Sequence, residues 1–110
     1  MSAETDAGTT VTHLADEKRF ELRVDGDVAG WVDYLPGGKS VIIAHTEISD
    51  AYAGRGLAGM LVKEVLMQLR AEGTSVIPVC PFASSYIRRH PEHVVDVDPS
   101  LRSQFPAGDG

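Results

Sequence analysis

Ile48-Ser49-Asp50-Ala51-Tyr52-Ala53-Gly54-Arg55-Gly56-Leu57-Ala58-Gly59-Met60-Leu61 is the stretch on which the reading of this chain turns. Three glycines and two alanines take five of the seven positions from Ala53 to Gly59, so few side chains cover the backbone amides there. The residues that follow begin a helix. The unbonded N–H groups of its first turn and the positive end of its dipole converge on one spot, a geometry that attracts a phosphate.

The helix is predicted from Gly56 to Glu72. Leu57, Ala58, Leu61, Val62, Val65, Leu66 and Leu69 make one apolar face, with Lys63, Glu64 and Arg70 on the other side. Gly73 stands where a left-handed residue closes a helix. Met60 and Met67 fall outside the apolar arc, nearly above one another, and are expected to meet the C-terminal segment or another subunit.

Toward the N-terminus, Phe20, Leu22 and Val24 alternate with Glu21 and Arg23, the pattern of a half-buried strand. Asp25-Gly26-Asp27 turns the chain into a second strand, Val28 to Leu35, and Pro36-Gly37-Gly38 turns it into a third, Ser40 to Ile48. Trp31 and Tyr34 lie on opposite faces of the second strand, so only one of them enters the core. After the helix, Ser75 to Cys80 makes a fourth strand, which the crossover sets parallel to the third. Pro78 cannot donate a ladder hydrogen bond, so it marks an edge or a place where neighbouring strands part. Pro81 opens a short helix containing Tyr86 and running to about Arg89, and His90-Pro91 ends it. The fold class is therefore α+β: a three-stranded antiparallel meander, a central helix, a further parallel strand and a short C-terminal helix. Residues 14–98 are expected to form the folded domain, between flexible tails at 1–13 and 99–110 that are rich in small and polar residues.

A chain of 110 residues supports one domain with a modest core. Sixteen acidic against ten basic residues give a net charge of -6, which argues against nucleic acid and suits a cationic amine as partner. The same charge also serves simply to keep a small protein soluble. One cysteine excludes an internal disulfide and a cysteine-cluster zinc site. Neither a secretory leader nor a membrane-spanning run is visible, so a cytoplasmic protein without a membrane or metal partner is expected.

Two ligands could use the glycine turn. Gly54, Gly56 and Gly59 spell G-x-G-x-x-G, but the dinucleotide fingerprint also needs an acidic residue about 20 positions on, and Ser75 to Cys80 offers no carboxylate. The other is the pyrophosphate of coenzyme A. His45-Thr46-Glu47-Ile48 before the loop, and Cys80-Pro81-Phe82 with Tyr86 and His90-Pro91 after the next strand, complete a pattern from about Phe20 to Val95. It resembles the minimal, single-domain acetyltransferases of the GNAT superfamily. That family's loop reads Arg/Gln-x-x-Gly-x-Gly/Ala. Gly56 takes the central glycine and Ala58 the last small position, while Ala53 stands where Arg or Gln is usual.

The resemblance implies acetyl-CoA as co-substrate and an amine acceptor, a protein lysine or a small amine. Ile48, Gly54, Arg55, Gly56, Leu57, Ala58 and Gly59 would hold the cofactor, with backbone donors near Glu47 and Ile48 facing the thioester oxygen. It also implies two parallel strands that splay near Pro78 and admit the pantetheine arm. Proton removal falls to Glu47, His45 or the histidines near the C-terminus; Glu47, next to the presumed acetyl site, is taken first, although a strand glutamate is also an ordinary surface group. Cys80, at a strand end before a helix, could accept the acetyl group or protonate the departing thiolate, or simply pack as a small apolar side chain. Tyr86 resembles the tyrosine that protonates the thiolate in many such enzymes, and core packing explains it equally well. The missing Arg or Gln at Ala53 keeps open a second class of function, a non-catalytic acyl-CoA-binding or regulatory module.

Overall fold

The computed structural model describes residues 2–6 and 8–105, with side chains from residue 8 onward. A six-stranded sheet runs in sequence order: β1 (Ser2–Asp6), β2 (Thr9–Leu14), β3 (Arg19–Val24), β4 (Asp27–Gly37), β5 (Ser40–Ile48) and β6 (Ser75–Pro78). The first five pair antiparallel; α1 (Leu57–Ala71) crosses over and sets β6 parallel to β5. α2 (Pro81–Arg89) and two 3-10 segments, Pro91–Asp96 and Pro99–Gln104, follow. The α+β meander, central helix and parallel strand stand as the sequence predicts, with two extra strands at the N-terminus.

Those strands correct the expectation of a flexible tail for residues 2–6 and 9–13; Met1 and Ala7 lie outside the described residues. Val11 is fully buried, and the Gln68 side chain donates from Nε2 to the Val11 carbonyl at 3.0 Å. Thr9-Thr10-Val11-Thr12 looks like a polar tail by composition, but its β-branched residues suit a half-buried strand once β3 offers an edge. The C-terminal expectation is corrected in the same way up to Phe105. Phe105 is buried, Arg88 stacks over its ring at 4.5 Å, and Arg88 donates to the Gln104 carbonyl at 2.8 Å. Residues 106–110 lie outside the described residues.

One core joins Val11, Phe20, Leu22, Val32, Ile43 and Val76 of the sheet to Leu61, Val65, Leu66 and Leu69 of α1 and to Ala83 and Ile87 of α2. Both helices therefore cover the same face of the sheet. Tyr34 packs on that core and Trp31 does not; the Trp31 ring instead carries the Arg19 guanidinium at 5.0 Å. Cross-strand register places Thr12, Glu21, Trp31 and Glu47 in one row on the face without helices, with Arg19, Asp33 and His45 in the row beside it. Met60 packs against the core and Met67 is exposed.

Candidate active site

The site begins where β5 and β6 separate. Their ladder runs from Ser40–Ser75 to Ile43–Pro78 and stops there, because proline has no N–H to continue it. One further bond, Cys80 N–H to the Ile43 carbonyl at 2.9 Å, turns the chain away into α2. β6 is held on its other edge by Asp98 N–H to the Val76 carbonyl at 2.8 Å, and Asp98 accepts from the Ser40 hydroxyl at 2.6 Å. Beyond Ile43, β5 carries a register shift opposite Asp33/Tyr34 and continues to Ile48 with no β6 beside it.

The remaining ladder decides where the free backbone groups point. Ser49 N–H bonds the Ala29 carbonyl of β4 at 2.8 Å, so the alternate residues Ile48 and Thr46 direct their N–H and C=O to the opposite edge, the one β6 has left. β4 accommodates this end of β5 only because Gly30 has no side chain: a Cβ there would lie 2.6 Å from the Glu47 carbonyl oxygen.

After β5, a 3-10 turn (Asp50–Tyr52) leads into Gly54 and Gly56, with φ of 80° and 73°. Such angles favour glycine, and they let the loop deliver the start of α1 with its first amides uncapped; Gly56 offers no side-chain cap and a Cβ on it would meet nothing within 4 Å. Arg55 is exposed and its guanidinium rests over the Tyr52 ring at 5.2 Å, so the same loop carries a cation.

The other candidates divide between the two faces of β5. Cys80 is buried at the start of α2, and its S–H donates to the Thr46 hydroxyl at 3.4 Å across the opening. Tyr86 is buried too and lies against the first turn of α1: a Cβ on Gly59 would stand 3.5 Å from its Cε2. Burial, with a smaller contribution from Glu92, pushes the Tyr86 hydroxyl above its ordinary pKa, so the phenol keeps its proton through neutral pH. Glu47 projects from the face without helices, half exposed, and its carboxylate is 2.9 Å from His45 Nε2. Thus Cys80, Tyr86 and the glycine loop are brought together on the helical side, and Glu47 with His45 flanks the opening from the other.

One polar cluster close by was not singled out from sequence. Asp96 is buried, receives two bonds of 2.7 Å from the Arg70 guanidinium and lies 2.9 Å from His93 Nδ1. Burial opposes its ionisation, but the bonds from Arg70 and His93 outweigh that and hold the carboxyl below its usual range. The His93 and Asp96 spacing of three was the available signal, hidden because it falls in a 3-10 segment between valines.

Residues 19–97 match the family model described as GCN5-related N-acetyl-transferase. Protein NATD1 of Xenopus tropicalis is 28% identical over 92 residues, 82% of this chain and 84% of that one. Protein NATD1 of Mus musculus is 31% identical over 83 residues, 74% and 76% of the two chains. Among solved structures, a GCN5-like protein from Staphylococcus aureus superposes with a TM-score of 0.60 at 21% identity, covering 84% of this chain and 89% of its own. A GNAT family acetyltransferase from Elizabethkingia anophelis, solved with acetyl-CoA bound, superposes with a TM-score of 0.53 at 10% identity, over 76% of this chain and 53% of its own. Matched across most of its length, with the parted strands and glycine turn in place, the chain belongs to the GCN5-related N-acetyltransferase family.

Proposed function

We propose that this protein is an acetyl-CoA-dependent N-acetyltransferase that passes the acetyl group directly to a primary amine, on a protein lysine or a small molecule. The observation that carries the reading is the end of the β5–β6 ladder at Ile43–Pro78, which leaves the Ile48 N–H directed into a gap. A pantetheine arm lying there as an added strand would find the donors and acceptors that β6 leaves unused. The amides of Leu57, Ala58 and Gly59, with the Arg55 cation on the same loop, suit its pyrophosphate.

The co-substrate supplies an activated acetyl thioester, and the chain supplies placement and proton handling. In this reading the Ile48 N–H stabilises negative charge on the thioester oxygen as the nitrogen–carbon bond forms. Glu47, paired with His45 on the exposed face, takes the proton that the amine releases. Tyr86, kept protonated by burial, gives a proton to the thiolate as the carbon–sulfur bond breaks. Cys80 is the alternative donor for that step, and its burial leaves the gap as its route to the acetyl group. The net charge of -6 favours cationic acceptors at long range.

Titration calorimetry with coenzyme A tests the cradle, and absence of heat at millimolar ligand rejects it. Labelled acetyl-CoA with spermidine and a lysine-rich peptide tests the chemistry. The half-exposed Glu47 and the absent side chain at Ala53 favour a second reading, a binding module without turnover. Binding without acetylated product above the spontaneous rate would establish that instead.

A further inference from the structure

Outside the parted strands, the most heavily built polar feature is the buried cluster that fastens the end of α1 to the segment after α2. Asp96 and His93 have side chains 2% and 5% exposed, and Arg70 reaches in from the last turn of α1. An ionised carboxylate only accepts, so His93 Nδ1 carries the proton it gives to Asp96. Arg70 Nη2 and His93 Nδ1, 3.4 Å apart, are then two donors converging on one carboxyl, and the imidazole is fixed in both tautomer and direction.

What that imidazole touches is Tyr86. The His93 and Tyr86 ring centroids are 5.8 Å apart, and His90, at the end of α2, tilts against the Tyr86 ring with centroids 4.1 Å apart. Gly59 of α1 lies against the ring at Cε2. Tyr86 is thus clamped between the first turn of α1 and two imidazoles. Asp96 is buried but the Arg70 side chain is 48% exposed, so solvent weakens what their pairing adds to stability. Its distinctive contribution is direction. On the acetyltransferase reading above, we propose that Arg70 and Asp96 hold His93 as a positioning residue for Tyr86, setting the phenol where the leaving thiolate forms.

The test is a double-mutant cycle between His93→Gln and Tyr86→Phe, with Asp96→Asn as a second way to release the imidazole. With acetyl-CoA and a lysine-rich peptide, His93→Gln and Asp96→Asn should lower kcat by about 10- to 100-fold. The KM for acetyl-CoA should stay within about twofold. In the Tyr86→Phe background the His93 change should cost nothing further. Equal fold losses in both backgrounds, or an unchanged kcat in folded His93→Gln, would overturn the proposal. Tyrosine-labelled NMR gives an arm independent of turnover: the Tyr86 ring resonances should shift and narrow in His93→Gln as the ring is freed, and unchanged resonances would also overturn it. If His93→Gln shows this NMR response while the wild-type protein transfers no acetyl group, the acetyltransferase reading falls and the clamp stands.

Discussion

Replacing Gly30 by alanine probes the contact that shapes the end of β5. The added Cβ would lie 2.6 Å from the Glu47 carbonyl oxygen and 2.6 Å from Ile48 Cδ1. The Ile48 methyl can rotate away, but the carbonyl is backbone. Relief to an ordinary contact requires the Glu47–Ile48 peptide to move by roughly 0.5–1 Å, at an overpacking cost of about 1–3 kcal/mol. With unfolding entropy of about 2.1 cal/mol/K per residue over 110 residues, about 2 kcal/mol lowers Tm by about 9 °C. On the proposed placement of acetyl-CoA, the same displacement would carry the Ile48 N–H away from the thioester oxygen, and misplacement on this scale would reduce turnover by up to about 100-fold. Thermal unfolding followed by circular dichroism reads the first effect, and kcat with labelled acetyl-CoA the second. A Gly30→Ala protein with wild-type Tm and wild-type kcat would show that the close approach of β4 does not set the geometry of this site.

Other predictions isolate single contributions. Gly56→Ala meets no atom within 4 Å but must hold φ near 73°, so about 1–2 kcal/mol of strain is expected; Gly38→Ala, with φ of 75° and equally open space, carries the same strain at the far end of β5. Calorimetry should find weakened coenzyme A binding only in the former, and equal affinities would count against the amide cradle. Asp96 has its carboxyl pKa below the ordinary 3.8, so the stability it contributes is complete above that value and is lost as pH falls through the lower folded value. Asp96→Asn should flatten the acid limb of a denaturation curve measured below about pH 4; an unchanged limb would assign acid sensitivity to other carboxyls. For direct transfer, intact-mass spectrometry during turnover should find Cys80 unacetylated. Cys80→Ala should also cost less than the roughly 100-fold expected for losing an essential proton-transfer group; an acetyl adduct on Cys80 would redirect the mechanism.

Much of the fold was legible because its signals are local. The apolar face of Leu61, Val62, Val65, Leu66 and Leu69 is buried in the structure as its helical spacing predicts. Pro78, unable to donate, ends the β5–β6 pairing where its chemistry says it should. What escaped depends on partners distant in sequence. Thr9–Leu14 becomes a strand only because β3 supplies a ladder and Gln68 of α1 reaches its backbone. Pro99–Gln104 and Phe105 are ordered by Arg88, which no composition reading connects to them. The same limit applies to the candidate site. Glycines at Gly54 and Gly56 announce a special loop, but that Cys80 meets Thr46, or that Arg70, Asp96 and His93 converge, is tertiary information.

Among the described residues the helices cover one side of the sheet, and Thr12, Glu21, Trp31 and Glu47 form a partly exposed row on the other, leading to the rim where β5 continues beyond β6. On the proposed function, chemistry at such a rim would be governed by encounter rather than enclosure. An acceptor would be chosen by how long it lingers there, so large or irregular partners that a walled pocket would refuse have the same access as a free amine.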